Sequence, residues 1–75
     1  MKLKELLKYI DYNQKIILDH GKFSAEYAGQ ARHVNLHQFG DRDVQYIYVD
    51  YDIYYKDYIK IRLFKPEMGE KNESN

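Results

Sequence analysis

The chain has 75 residues, with twelve basic and twelve acidic side chains, nine tyrosines and no cysteine. A chain this short makes one small domain that buries only about 60 % of the surface its unfolded form exposes, and without cysteine it has neither disulfides nor a thiolate metal site to staple it. The charges cancel and are interspersed, so no long-range field draws the protein to duplex DNA or to anionic lipid.

Residues 2 to 10 place Leu3, Leu6, Leu7 and Ile10 at i, i+3, i+4 and i+7, with Lys2, Lys4, Glu5 and Lys8 on the rest of the wheel. This is the spacing of an amphipathic helix of about two and a half turns, too short to be stable unless its leucine stripe lies on an apolar partner. Asp11, Tyr12 and Asn13 break the pattern and turn the chain. Residues 14 to 20 are short and β-branched, and Gly21 and Lys22 follow, which predicts a strand ending in a tight turn. Residues 23 to 32 return as its partner. Ala25, Tyr27, Gly29 and Ala31 share one face, and Ser24, Glu26, Ala28, Gln30 and Arg32 the other. The small residues here mark a bulge or close packing. Between Asn35 and Gly40 a single helical turn is expected, with Asn35 as N-cap, Leu36 and Phe39 as its apolar pair and Gly40 at C′.

Residues 44 to 64 hold six of the nine tyrosines and read as one long β-hairpin. In the first strand, 44 to 55, the odd positions Gln45, Ile47, Val49, Tyr51, Ile53 and Tyr55 make the greasier face. The even positions are Val44, Tyr46, Tyr48, Asp50, Asp52 and Tyr54. In the second strand Ile59, Ile61 and Leu63 alternate with Tyr58, Lys60, Arg62 and Phe64. A two-residue turn at Lys56 and Asp57 would set Ile53 against Lys60 and spoil the apolar face. A three-residue loop over 55 to 57 instead matches Ile53 with Ile59, Tyr51 with Ile61 and Val49 with Leu63. On the other face it matches Tyr54 with Tyr58, Asp52 with Lys60, Asp50 with Arg62 and Tyr48 with Phe64, pairs each contributing roughly 0.2 to 1 kcal/mol.

The order is therefore α, β, β, short α, β, β. The expected fold is α+β: a four-stranded antiparallel sheet of two hairpins, one N-terminal amphipathic helix on its aliphatic face, and a possible single helical turn at 35–40. Residues 1–65 make the single compact domain, and 66–75, nearly devoid of apolar side chains, a disordered tail. The longest aliphatic run is Ile16 to Leu18, far short of the ~20 residues that cross a bilayer. With no signal peptide and no cysteine, a cytoplasmic protein of a bacterial host is expected.

The sheet face left uncovered carries Tyr46, Tyr48, Tyr54, Tyr58 and Phe64 around Asp50, Asp52, Lys60 and Arg62. Rings to stack on, beside an Arg and a Lys to meet anionic or carbonyl groups, make a binding platform. The bland alternative is that tyrosines are good strand formers and the charges serve one another. The aromatic surface exceeds what one small core can take, so a homo-oligomer is expected. His33 and His37 have i, i+4 spacing without a third ligand in reach, and read as exposed histidines rather than a metal site. His20, before a glycine turn, reads as a surface residue. There is no Cys or Thr, the serines are Ser24 and Ser74, and Asp50 and Asp52 each have a cation opposite, so no enzyme, cofactor or metal is expected. Single-stranded nucleic acid, stacked on the tyrosines, is the competing reading. Aspartates interleaved with the rings weigh against it. A small enzyme using Asp50 or Asp52 is the third.

Met1-Lys2-Leu3-Lys4-Glu5-Leu6-Leu7 followed by Ile10-Asp11 and by Lys15-Ile16-Ile17 resembles the opening of many short phage and prophage reading frames, and residues 41 to 47, DRDVQYI, are similar to their second half. The resemblance implies a phage accessory role, in which small non-catalytic proteins blunt host defence by occluding an effector protein or sequestering a nucleotide-like signal. The tyrosine-rich hairpin departs from that pattern, so no site residue is carried over.

Overall fold

The computed structural model describes residues 1–21, 24–49 and 53–65. Helix α1 (Leu3–Leu6) runs into a 3-10 turn, Leu7–Tyr9, and is followed by strands β1 (Lys15–Asp19) and β2 (Ala25–Gln30). A second 3-10 turn (Ala31–His33) and helix α2 (Leu36–Phe39) lead to β3 (Val44–Tyr48), a 3-10 turn at Ile53–Tyr55 and β4 (Tyr58–Leu63). The expected tail, 66–75, lies outside the described residues, as do Asp50, Tyr51 and Asp52.

The four strands form one sheet in the order β2-β1-β4-β3. Both hairpins are antiparallel, but β1 and β4 meet in parallel at the centre, so the sheet is mixed rather than fully antiparallel. The reason is the connection from β2 to β3, which joins opposite edges of the sheet. Residues 31 to 43, with the second 3-10 turn and α2, carry the chain across and back to the end where β2 began. A crossover of about a dozen residues is what parallel alignment requires. Edge strands β2 and β3 therefore run the same way, and so do their partners β1 and β4.

The second hairpin also differs from its expected register. Tyr46 faces Arg62, Ile47 faces Ile61, Tyr48 faces Lys60 and, past a bulge at Gln45, Val44 faces Leu63. The expected pairs Tyr48 with Phe64 and Val49 with Leu63 do not form, β3 stops at Tyr48, and Ile53 to Tyr55 form a 3-10 turn rather than strand opposite Ile59. The expected pairs are those of an isolated two-stranded ribbon, whereas β4 is a central strand whose Arg62 also sits beside Asp19 of β1. The inward parity of Ile59, Ile61 and Leu63 survives because the slip is an even number of residues.

One apolar cluster lies between the sheet and the helices. Leu3, Ile16, Leu18, Ala31, Val34, Phe39, Ile61 and Leu63 are buried in it, with Leu6, Leu7, Ile10, Tyr27, Val44 and Ile59 packed against them. The leucine stripe read from residues 2 to 10 is therefore in place. Its helix is shorter than expected and tightens to 3-10 after Leu6.

Local chemistry fixes the crossover. The Asn35 side chain accepts hydrogen bonds from the N–H groups of His37 and Gln38, at 3.0 and 3.3 Å, the expected N-cap of α2. Gly40 closes that helix in a right-handed conformation, φ −59°, so left-handed freedom is not its role. A Cβ there would sit 2.6 Å from the Leu36 carbonyl oxygen. The Gly40 carbonyl in turn accepts from the N–H of Lys4, tying the two helices together.

Candidate functional site

Residues opposite one another in a ladder share a face, so the registers define the open side of the sheet row by row. Tyr46, Arg62 and Asp19 form one row across β3, β4 and β1; Tyr48, Lys60 and Ile17 form the next; Tyr58 and Lys15 form a third. Ile17 is buried yet stands outside the helix-side core. The long tyrosine and lysine side chains of its own face are what shield it.

Asp19 is the centre of this layer. It is 4 % exposed, the one buried charged residue among those described, and an unpaired carboxylate in that position would be strongly disfavoured. Arg62 donates to it through Nε, and the Tyr48 hydroxyl donates to its other oxygen at 2.7 Å. The guanidinium continues outward, donating from Nη1 to the Tyr46 hydroxyl at 3.1 Å and from Nη2 to the Tyr48 hydroxyl at 3.2 Å. Asp19 raises the Arg62 pKa above its already high value. Burial, and then the bond to Asp19, push the Tyr48 phenol above the ordinary range. Both groups are locked in the forms that make these bonds.

Around this clamp the rings are arranged with cations. Tyr46 and Tyr48 meet edge-on at 5.7 Å, as do Tyr55 and Tyr58. Lys60 Nζ lies 5.1 Å from the Tyr55 ring centre and 5.9 Å from that of Tyr48, and Lys15 Nζ lies 5.7 Å from Tyr58. These distances fall within the reach of cation–π attraction. The result is a band of four tyrosines, Tyr46 and Tyr48 on one side of Lys60, and Tyr55 and Tyr58 on the other.

Of the expected platform residues, Tyr46, Tyr48, Tyr58, Lys60 and Arg62 therefore come together. Tyr54 stands on the 3-10 turn rather than on a strand opposite Tyr58, and Phe64 lies half-exposed beyond the end of β4. Asp50 and Asp52, expected as partners of Arg62 and Lys60, lie outside the described residues, and the observed register gives those cross-strand positions to Tyr46 and Tyr48. Sequence reasoning missed Asp19, Tyr55 and Lys15. An acid closing the otherwise aliphatic run Ile16-Ile17-Leu18 was the available signal for Asp19, since a charge there needs a partner from another strand.

Elsewhere, Glu26 accepts two hydrogen bonds from Arg42, at 3.2 and 3.0 Å, and meets His20 Nδ1 at 2.6 Å. Arg42 also donates to the Phe64 carbonyl at 2.7 Å. This cluster pins the first hairpin to the end of the crossover, so His20 is half-buried rather than a plain surface residue. The Glu26 carboxyl is held below the ordinary glutamate range chiefly by Arg42. His33 and His37 fall on separate elements, so their i, i+4 spacing does not put them on one helical face. Among the described residues no group of His, Asp or Glu has metal-binding geometry, and no helix is long and apolar enough to cross a membrane.

The helix side carries a groove of about 780 Å³ between the α1 segment and the crossover, lined by Leu7, Tyr12, Ala31, Val34 and Leu36 with Lys4, Lys8, Arg32 and Glu5. Lys4 is paired with Asp41 at 2.9 Å, and Glu5 accepts from the Lys2 N–H. Three separate segments build this groove, which is why no single stretch announced it. Comparison of the chain with protein families, curated proteins and solved structures finds no match.

Proposed function

We propose that the protein is a non-enzymatic binding protein that holds its partner on the open tyrosine face of the sheet. The observation that carries this reading is the band Tyr46, Tyr48, Tyr55 and Tyr58, which no helix covers among the described residues; the Asp19–Arg62 clamp fixes Tyr46 and Tyr48, and Tyr55 and Tyr58 meet edge-on beside them. Rigid, amphipathic rings contribute contact area at low entropic cost, the property of aromatic anchors at protein interfaces. Arg62 is occupied by Asp19, so specificity rests on ring edges and hydroxyls more than on a salt bridge to the partner. The least exposed carboxylates among the described residues, Asp19 and Glu26, are each engaged by a guanidinium, which favours a structural use over acid–base chemistry. The phage-like opening sets the biological frame of the proposal: an accessory protein in a bacterial host, occluding a defence effector.

The test is paired capture from a bacterial lysate with the wild type, a Tyr55→Ala/Tyr58→Ala variant and a helix-side variant, Lys8→Glu/Arg32→Glu. A partner kept by the wild type and the helix-side variant but lost by the tyrosine variant, at matched thermal stability, supports the reading. Retention by all three sinks it. Single-stranded nucleic acid is separated by titrating a mixed-sequence oligonucleotide at about 50 and 200 mM salt, where phosphate contacts predict a steep loss of affinity.

The groove favours a second reading, a small organic anion with an apolar body, such as a nucleotide-like signal. Its size falls within the ~300–1,000 Å³ of ligand sites, and Lys8 and Arg32 stand at its rim. Binding of a nucleotide lost on Arg32→Glu, with the tyrosine variant unaffected, would favour this reading over the first.

A further inference from the structure

The two edges of the sheet are not alike. Edge strands offer unpaired backbone groups to any passing strand, and proteins guard them with charges, prolines, glycines or bulges. On β2 the guards are present: Glu26 lies at a bulge opposite Leu18 and Asp19, and Gly29 interrupts the strand. On β3 they stop early. A bulge at Gln45 and the N-terminal segment protect its start, where Leu3 N–H donates to the Arg42 carbonyl and Val44 N–H donates to the Met1 carbonyl. From Tyr46 onward no strand lies on the outer side of β3 among the described residues, and residues 44 to 49, VQYIYV, contain no charge, proline or glycine.

Exposed apolar side chains gather on β3, at Val49 after it and on the 3-10 turn before β4. Tyr46, Ile47, Val49, Ile53, Tyr54 and Tyr55 are more than half of the large apolar residues exposed among those described. Ile47 faces the helix side, level with Ile61, yet remains 49 % exposed because the helices stop short of β3.

We infer that the β3 edge pairs with the β3 edge of a second copy of this chain, antiparallel and centred on Ile47. The strand itself selects a copy over other partners. Tyr46, Ile47 and Tyr48 read the same in both directions, so a two-fold axis through Ile47 sets Ile47 against Ile47 and each Tyr46 against the partner's Tyr48. Every contact then joins like with like on its own face, as a self-complementary two-fold interface requires. No charge in 44 to 49 meets its own image. The two tyrosine bands would join into one platform across the axis, but the pairing does not depend on what that platform binds.

The test is the mass of the full chain in solution, by light scattering or sedimentation over micromolar to millimolar concentration. The wild type should weigh twice the 9.1 kDa chain. Ile47→Lys and Ile47→Glu, at a half-exposed position that tolerates them, should each be monomeric with unchanged circular dichroism. Mixing the two should restore the double mass, since position 47 faces itself. Ala28→Lys, on the guarded edge, should leave the dimer intact, and so should Tyr55→Ala/Tyr58→Ala, which disables only the open-face reading. A wild type monomeric throughout, a dimer indifferent to Ile47→Lys, or single variants whose mixture stays monomeric would each overturn the inference.

Discussion

At the scale of single residues, the open face depends on one carboxylate. Asp19 is buried, and its charge is balanced by Arg62 from the neighbouring strand and by the Tyr48 hydroxyl. Replacing it with Ala leaves the Arg62 guanidinium without its carboxylate and the Tyr48 hydroxyl without its acceptor, and Arg62→Lys cannot reproduce a fork that serves Asp19, Tyr46 and Tyr48 at once. Both substitutions should lower the thermal midpoint, whereas Tyr48→Phe, which removes one donor, should lower it less. An unchanged midpoint for Asp19→Ala would show that the clamp holds nothing.

Glu26 gives a pH prediction. Its pKa is depressed in the folded state, mainly by Arg42, so the folded protein binds fewer protons than the unfolded chain near that range. The stability it contributes is present above the ordinary glutamate value of 4.5 and is lost as pH falls through the lower folded value. Chemical denaturation between about pH 3 and 6 should show a slope that flattens in Glu26→Gln. Equal slopes in both proteins would contradict the assignment.

At the scale of elements, the crossover rests on two residues with separable jobs. Removing the Asn35 cap with Ala should cost about 1 kcal/mol. Gly40→Ala, which drives a methyl into the Leu36 carbonyl, should cost about 1 to 3 kcal/mol, and urea unfolding of the two variants reads both. A neutral Gly40→Ala would mean that the tight approach of α2 to its own end is unimportant. The cap was legible in the sequence because its signal is local: Asn35, an apolar pair and a glycine within six positions. The leucine stripe and the inward parity of β4 were legible for the same reason, each being a periodicity within one segment. The register of β3 on β4 was not. It is decided by a strand distant in sequence, since β1 supplies Asp19 and makes row Tyr46–Arg62–Asp19 outweigh the expected pairing with Asp50. The parallel centre of the sheet was hidden likewise, because it depends on where the crossover lands.

At the scale of the whole molecule, the chain divides its aromatic residues from its aliphatic ones. The helices and crossover cover most of the leucines and isoleucines of one face, Ile47 excepted, while the described residues of the other are chiefly tyrosines and cations around Asp19 and Ile17. That Tyr46, Tyr48, Tyr58, Lys60 and Arg62 share one face was legible from alternation alone. Its anchor was not, since Asp19 lies in a different hairpin. The measurement that tests this account most directly is the paired capture described above. The account predicts a partner retained by the wild type and by Lys8→Glu/Arg32→Glu and lost by Tyr55→Ala/Tyr58→Ala, with all three proteins equally stable. A partner that survives the tyrosine substitutions and disappears with the helix-side ones would contradict it.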